Sequence, residues 1–160
     1  MLKIFTASSQ DHLDQIRTLM LSYIAYLRTH QMEPRRLEKE LGDLPGAYAP
    51  PEGLLLLATW SGETVACGGI RVLEEGVCEL KRLYLRPVYR GKGIGRALAT
   101  SLMEGARSLG YRKMRLVTMP FMAEAISLYR SLGFSDCAPF RETHVEGAIF
   151  MELDLNAKSV

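Results

Sequence analysis

The sequence lacks the cysteine and histidine patterns that form disulfide frameworks or metal sites. Its cysteines are odd in number and include no C-x-x-C pair, and its histidines are scattered without the spacing of metal ligands. These residues are Cys67, Cys78, Cys137, His12, His30 and His144. We therefore expect reduced, mostly buried thiols and no bound metal.

Long hydrophobic runs are also missing. The longest unbroken apolar run covers residues 54–58, whereas a membrane-spanning helix needs about 20 apolar residues. Residues 1–6 become polar too early for a secretory signal. These features predict a cytoplasmic protein that makes no membrane contact.

Size and composition are typical of one globular domain. The chain has 160 residues, of which 48% are hydrophobic and 24% charged, enough to bury a sizeable core and too apolar for a disordered chain. The net charge of +2 conceals an asymmetry, because residues 80–115 carry ten basic residues and one acid, a local charge of +9 that leaves −7 for the rest. Such a basic block indicates either an anionic ligand or a solvated surface.

The hydrophobic pattern predicts elements in the order β-αα-βββ-αβ-αβ-β. We expect helices from Ser9 or Asp11 to about residue 27, and over residues 34–41, 93–109 and 123–132. We expect strands over residues 2–6, 54–60, 64–73, 77–85, 113–119, 134–138 and 147–155. A strand–helix–strand unit needs a parallel crossover and the hairpins are antiparallel, so the order predicts a single α/β domain with a mixed sheet.

Three alternating glycines stand between a predicted strand and a predicted helix, in Arg90-Gly91-Lys92-Gly93-Ile94-Gly95-Arg96. Glycine lets a ligand approach backbone N–H groups without interference from a Cβ atom. The first turn of the following helix leaves N–H groups unpaired and attracts anions. The segment fails the dinucleotide fingerprint, which needs glycine at position 96, and it has no Gly-Lys-Ser/Thr phosphate loop. It predicts a pyrophosphate site of another kind, with a glycine-rich turn bearing surface basic residues as the alternative.

The same segment matches [Q/R]-x-x-G-x-[G/A], and through it the chain resembles the GNAT superfamily of N-acetyltransferases, whose acyl-coenzyme A loop has this motif. Residues 79–87 look like the preceding strand of that family, and residues 125–134 look like its last helix; residues 2–53 match mainly by element order. The resemblance implies an α/β (α+β) fold with a mixed, mostly antiparallel central sheet flanked by helices. It also implies a splayed strand pair that holds acyl-coenzyme A, and a single N-acetyltransferase domain over residues 1–160.

The resemblance assigns the contacts of acetyl-CoA residue by residue. The pyrophosphate would be held by the loop residues Arg90, Gly91, Lys92, Gly93, Gly95 and Arg96. The pantetheine arm would pair with the backbone around Leu83 and Leu85. Arg82 and Arg86 would flank the approach of the nucleotide end.

The strand pattern gives independent support for this site. Alternation places Leu80 on the face opposite to Leu83 and Leu85 unless one residue is inserted, which predicts a β-bulge. A bulge would free backbone N–H groups, and the resemblance implies that the one at Leu83 holds the thioester oxygen. An unbroken strand with an exposed Lys81-Arg82 pair is the alternative.

Two residues match positions that the family uses for proton transfer. Tyr129 matches a tyrosine that often acts as general acid for the leaving thiolate, and a phenol with a pKa of about 10 suits that role; a tyrosine packed at the core edge is the alternative. Glu79 is the preferred general base on the amine, directly or through water; a surface carboxylate paired with Lys81 is the alternative. Less specific base candidates are Glu33, Glu74, Glu75 and His144, and Met122 stands where many members have asparagine.

These expectations combine into one activity. The chain is expected to transfer an acetyl group from acetyl-CoA directly to a primary amine in a ternary complex, without metal or acyl-enzyme, since Cys67 and Cys78 have no evident His/Asp partners. A non-catalytic acyl-coenzyme A sensor or interaction module is the alternative, and nucleic-acid binding is a weaker one. The acceptor is expected to be a small molecule, in a pocket near residues 26–36 and 141–147. A homodimer is compatible with the sequence, and no nucleic-acid partner is expected.

Overall fold

A computed structural model of the chain describes residues 1–143 and 145–156. Its helices are α1 (Gln10–Thr29), α2 (Arg35–Leu41), α3 (Ile94–Ser108) and α4 (Ala123–Ser131). Its strands are β1 (Leu2–Thr6), β2 (Leu54–Trp60), β3 (Glu63–Glu74), β4 (Val77–Leu85), β5 (Lys113–Thr118), β6 (Ser135–Asp136) and β7 (Ile149–Asp154). The predicted order of helices and strands is confirmed.

The described strands form one sheet in the order β1-β2-β3-β4-β5-β7-β6. β4 and β5 are parallel, and the other neighbouring pairs are antiparallel. The parallel pair arises because α3 crosses over between β4 and β5, as a strand–helix–strand unit requires. The predicted mixed, mostly antiparallel sheet is confirmed.

β6 is much shorter than the strand predicted over residues 134–138. Its ladder with β7 covers only Ser135 and Asp136, although the Cys137 N–H still donates to the Phe150 carbonyl oxygen at 2.9 Å. Pro139 has no N–H group to continue the ladder. The chain therefore leaves the sheet here and crosses to β7 through a long connection.

Helices cover both faces of the sheet. On one face α3 buries Leu98 and Leu102 against Cys78 and Leu80 of β4. On the other face α1 and α2 bury a second cluster that includes Cys67 of β3 and Tyr84 of β4. The change of face between Leu80 and Tyr84, both at even positions, shows that the alternation of β4 is interrupted between them.

No helix among the described residues is long and apolar enough to cross a membrane.

Candidate active site

β4 and β5 diverge after a short paired segment. Their register covers Val77 to Glu79 on β4, opposite Lys113 to Arg115 on β5. β4 continues to Leu85, whereas β5 continues to Thr118 in register with β7 on its other side. The predicted splayed strand pair is confirmed, and it opens toward the carboxyl ends of both strands.

A β-bulge lies on β4 beside the opening. Lys81 pairs with Gly69 of β3 and Tyr84 pairs with Cys67, so two residues of β4, Arg82 and Leu83, stand opposite a single residue of β3. Arg82 has a φ of +61°, a left-handed conformation that is uncommon outside glycine. The bulge predicted from the broken alternation is confirmed, and the unbroken strand is wrong.

Gly68, the β3 residue opposite the bulge, allows the strands to approach there. A Cβ atom built at this position would lie 2.8 Å from Leu102 Cδ1 and 3.1 Å from Leu83 Cδ1. Any side chain at Gly68 would therefore push against α3 and against the bulge itself.

The side chain of Arg82 turns away from the predicted nucleotide path. Its Nε donates to Glu40 Oε2 at 2.7 Å, and the Tyr48 hydroxyl donates to the same carboxylate oxygen at 3.1 Å. The left-handed backbone at Arg82 directs the guanidinium to α2, where this ion pair anchors the bulge. The expectation that Arg82 flanks the nucleotide end of acetyl-CoA is therefore wrong.

The glycine-rich loop after β4 has the open backbone that a phosphate needs. Gly91 and Gly93 have φ values of +79° and +78°, and no atom of the described residues lies within 4 Å of a Cβ built at either position. Gly93 caps the N-terminus of α3, and no side chain caps that terminus by hydrogen bonding. The first-turn N–H groups of α3 are thus available to an anion.

The basic side chains of the loop have only weak or neutral partners among the described residues. Arg90 Nε lies 3.8 Å from a Glu124 carboxylate that is 80% exposed, and Arg96 Nη2 donates to Ser131 Oγ at 2.6 Å. Lys92 Nζ lies 5.5 Å from the centre of the Trp60 ring. Their charges remain largely uncompensated, which favours a pyrophosphate at this loop.

Tyr129 on α4 is buried, with 7% of its surface exposed. Its ring packs on Phe134 at 5.6 Å between centroids, and no hydrogen bond of its hydroxyl is found among the described residues. Burial raises the pKa of the phenol well above its ordinary value, and the neighbouring Tyr23 raises it further. Tyr129 is therefore packed in the core and also carries a phenol that keeps its proton. Its role as general acid stays a prediction.

An aromatic wall joins α1 to the connection between β5 and α4. Phe121 stacks on His30 at 3.9 Å with the ring planes 4° apart, and Tyr26 lies 6.1 Å from Phe121. Met122 accepts a weak hydrogen bond at Sδ from Thr118 Oγ1 at 3.6 Å. This is the position at which the resemblance would lead one to expect asparagine. This segment forms an apolar surface beside the opening.

Glu79, at the point where β4 leaves β5, has a side chain that is only 1% exposed. Arg141, from the connection between β6 and β7, donates to both carboxylate oxygens, with Nη1 2.7 Å from Oε1. Arg71 of β3 places its Nε 3.8 Å from Oε1. The alternative of a surface carboxylate paired with Lys81 is wrong, because β3, β5 and Arg141 enclose Glu79. Its role as a base stays a prediction.

The comparisons with known proteins agree with this geometry. The profile of the acetyltransferase (GNAT) family matches residues 13–134. The chain belongs to the GNAT acetyltransferase family. The family and the fold make it an acyltransferase enzyme that uses acyl-coenzyme A.

Relatives span different shares of this acetyltransferase. The uncharacterized N-acetyltransferase YjgM of Escherichia coli (strain K12) is 39% identical over 100 residues, covering 61% of this chain and 60% of that protein. The uncharacterized N-acetyltransferase C1271.07c of Schizosaccharomyces pombe is 29% identical over 146 residues, covering 90% and 89%. The PaiA N-acetyltransferase of Thermoplasma acidophilum, solved in complex with coenzyme A, has a TM-score of 0.74 at 18% identity, covering 96% of this chain and 99% of that one; this likeness shows the fold.

The sequence alone did not identify Arg71 as a neighbour of Glu79. The turn at Glu75 and Gly76 alone would place Arg71 opposite Leu80, and a register shift between Val72 and Glu74, which no sequence pattern indicated, brings Arg71 opposite Glu79. Arg141 was named only as part of a broad acceptor region, since no periodic pattern fixes the path of the connection before β7.

His144 lies outside the described residues. Within residues 1–143 and 145–156, no cluster of three or more His, Cys, Asp or Glu side chains is placed to hold a metal ion.

Proposed function

We propose that this acetyltransferase moves an acetyl group from acetyl-CoA to a primary amine of a small acceptor, by direct transfer within a ternary complex. The observation that carries the proposal is the β4 bulge at Arg82 and Leu83, which lies at the mouth of the splay and directly precedes the open glycine loop. Acetyl-CoA supplies an activated thioester when it is bound.

The backbone of the chain provides the donor site in this proposal. The N–H groups of Gly91, Lys92, Gly93 and Gly95 and the start of α3 hold the pyrophosphate, with Arg90 and Arg96 beside them. Backbone around Leu83 and Leu85 pairs with the pantetheine arm along the unpaired edge of β4. The Leu83 N–H, placed in the bulge rather than in the regular ladder, donates to the thioester oxygen and stabilises the charge that develops there.

Proton transfers are assigned to two side chains. In the transfer, the acceptor nitrogen bonds to the acetyl carbon, the carbon–sulfur bond breaks, one proton leaves the nitrogen toward Glu79, and Tyr129 gives one proton to the sulfur. The raised pKa of Tyr129 keeps its proton in place at neutral pH until the thiolate forms. Glu79 acts directly or through water while Arg141 and Arg71 fix its position.

A screen of amines tests the proposal. Release of the coenzyme A thiol is followed for a library of small primary amines, and acetylated products are identified by mass. The proposal predicts at least one amine whose acetylated form accumulates at the rate of thiol release. Binding of acetyl-CoA without amine-dependent thiol release across the library would contradict it.

The role of Glu79 is separable from that of its arginine partners. If Glu79 is the base, Glu79→Gln removes the rise of kcat with pH that base ionisation produces. If Glu79 only positions Arg141, the same variant raises KM for the amine and leaves the shape of the kcat profile unchanged.

A further inference from the structure

The sheet carries an excess of positive charge around Glu79. Three cationic side chains face this carboxylate, and we call them the cationic cluster: Arg71, Lys81 and Arg141. Arg141 pairs with both oxygens of Glu79, and Arg71 Nε is within 4 Å of one of them. One carboxylate against three cations leaves a local charge of +2.

The strand register explains why these groups meet. Arg71 of β3 pairs directly with Glu79 of β4, and Lys81 pairs with Gly69, two residues from Arg71. Side chains two residues apart on a strand share a face, so all three strand residues point the same way. A Cβ built at Gly69 would meet the Tyr48 ring at 2.8 Å, which shows that this is the face covered by α1 and α2.

The cluster is not neutralised by other acids among the described residues. Arg71 Nε is buried and has no hydrogen-bond partner there, and no ion pair of Lys81 is found there. Burial is the main cause that lowers the pKa of Lys81 to about 8, and Arg82, Arg141 and Arg71 add to it while Glu79 opposes it. Nearby acids are engaged elsewhere: Glu40 pairs with Arg82, and Glu74 and Glu152 pair with Arg115.

The cluster lies beside the place where the amine must react. Lys81 is the last regularly paired residue before the bulge at Arg82 and Leu83. An open cleft of about 520 Å³ adjoins Arg141, and Pro139, Thr143, Gly147 and Phe150 also line it, with the exposed Glu142. A cleft of this size accommodates a small molecule.

We propose that the cationic cluster binds a carboxylate of the acceptor, so that this enzyme acetylates amines that also carry a carboxylate, as amino acids do. This inference rests on the proposed function, because it names the acceptor class of the same site. A carboxylate would accept hydrogen bonds from Arg71 and Lys81, whose donors lack partners among the described residues, and such bonds to charged groups are the stronger kind. Arg141 takes both oxygens of Glu79 in hydrogen bonds, whereas Arg71 lies near that carboxylate at 3.8 Å without a hydrogen bond to it.

The test compares matched amine pairs. Each L-amino acid of a panel is paired with its carboxamide, which replaces the carboxylate and lowers the pKa of the amine, so rates are expressed per unprotonated amine. We expect kcat/KM from thiol release to be about tenfold or more higher for the carboxylate member, the effect of one charge-assisted hydrogen bond. Lys81→Met should remove most of that preference while leaving the carboxamide rates unchanged. Arg71→Gln should also remove most of the preference, which is read from the ratio of carboxylate to carboxamide rates because Arg71 also helps to position Glu79.

The variants are chosen so that folding does not obscure the result. Arg141→Gln would strand the buried carboxylate of Glu79, whereas Arg71 and Lys81 make no hydrogen bond with a described side chain that the fold would lose. Lys3→Gln removes one charge from an exposed position on β1, at the far edge of the sheet, and should retain the full preference. Thermal unfolding of each variant checks that it is folded.

A binding measurement separates the two proposals. Calorimetric titration of the enzyme–coenzyme A complex with N-acetyl amino acids and their carboxamides reports carboxylate recognition without turnover. Amine turnover with no carboxylate preference, or a preference that survives both variants, would overturn the carboxylate site and leave the acetyltransferase proposal standing. Carboxylate binding that depends on Arg71 and Lys81 without turnover of any amine would support the site and overturn the proposed reaction. If the enzyme shows neither a carboxylate preference in turnover nor carboxylate binding that depends on Arg71 and Lys81, the carboxylate site is overturned.

Discussion

Tyr129 and Glu79 show how strongly the surroundings of a residue decide its chemistry. Tyr129 is surrounded by apolar side chains, and burial together with Tyr23 raises the pKa of its phenol. Glu79 is equally buried but is contacted by the guanidinium groups of Arg141 and Arg71. The surroundings therefore keep Tyr129 protonated at neutral pH and hold Glu79 between cations.

Substituting Tyr129 by phenylalanine tests its role as acid. We expect kcat to fall by about 100-fold, the usual contribution of general acid catalysis, with little change in acetyl-CoA affinity measured by calorimetry. Tyr111→Phe is the matched control, because its hydroxyl donates to the Glu52 carbonyl oxygen at 2.6 Å and the residue precedes β5, at the end where β5 is paired with β4. Unchanged turnover in Tyr129→Phe would remove the residue from the mechanism.

The Glu79–Arg141 pair should contribute to stability in an asymmetric way. Arg141→Gln leaves a carboxylate that is 1% exposed without its hydrogen-bond donor, and we expect a loss of about 3 kcal/mol in the free energy of unfolding. The double variant Glu79→Gln/Arg141→Gln removes the stranded charge and should recover part of that loss. Urea unfolding of both singles and the double measures the coupling; additive effects would show that the pair is not energetically coupled.

At the scale of elements, the strands and helices with a strong hydrophobic pattern were predictable. β4 is the informative case, because the break in its alternation predicts the bulge from the sequence alone. The two-residue β6 was overpredicted, since an apolar segment near Phe134 gives no sign of the point where the ladder with β7 ends. Arg141 joins Glu79 through an irregular connection, and its position is set by tertiary packing that periodicity does not encode.

The glycine loop gives a prediction with a close internal control. Gly93 and Gly62 both have left-handed φ values, +78° and +85°, and open space at the Cβ position. Alanine at either position should cost about 1 kcal/mol of stability through backbone strain. Only Gly93→Ala alters the N-terminus of α3, so only this variant should weaken acetyl-CoA binding, by about tenfold in Kd. Equal loss of affinity in both variants would contradict a cofactor role for the loop.

At the scale of the whole molecule, the basic residues of the block over residues 80–115 fall into two groups, those in ion pairs and those without acidic partners among the described residues. Toward the end of the block, Arg115 pairs with Glu74 and Glu152 at 3.0 and 3.2 Å, and Lys113 lies 3.8 Å from Glu152. These pairs cross between strands far apart in the chain, which composition alone cannot reveal. The loop side chains Lys92 and Arg96 lack such acidic partners among the described residues. The local charge is therefore partly structural and partly available to ligands.

Buried acidic groups predict a loss of stability at alkaline pH. Burial raises the pKa of Tyr23 and of the Cys67 thiol from their ordinary values of 10.0 and 9.0 to about 12. A raised pKa means that the folded state retains the proton longer, so its stabilisation is present below the unfolded pKa and is lost as pH rises toward 12. Urea unfolding should show a constant difference in the free energy of unfolding between the wild type and Tyr23→Phe from pH 7 to pH 9. Above pH 10 the wild type should lose stability relative to Tyr23→Phe. A difference that stays constant up to pH 12 would contradict the assigned shift.

Two-substrate initial-rate kinetics test the central claim, direct acetyl transfer at the splay, most directly. With an amine found in the screen, double-reciprocal plots against acetyl-CoA at several amine concentrations should intersect, because both substrates must be bound before transfer. Intact-mass measurement of the enzyme incubated with acetyl-CoA alone should show no added acetyl group. Parallel lines together with acetylated enzyme would contradict the account, since they require a covalent acyl-enzyme in place of the ternary complex.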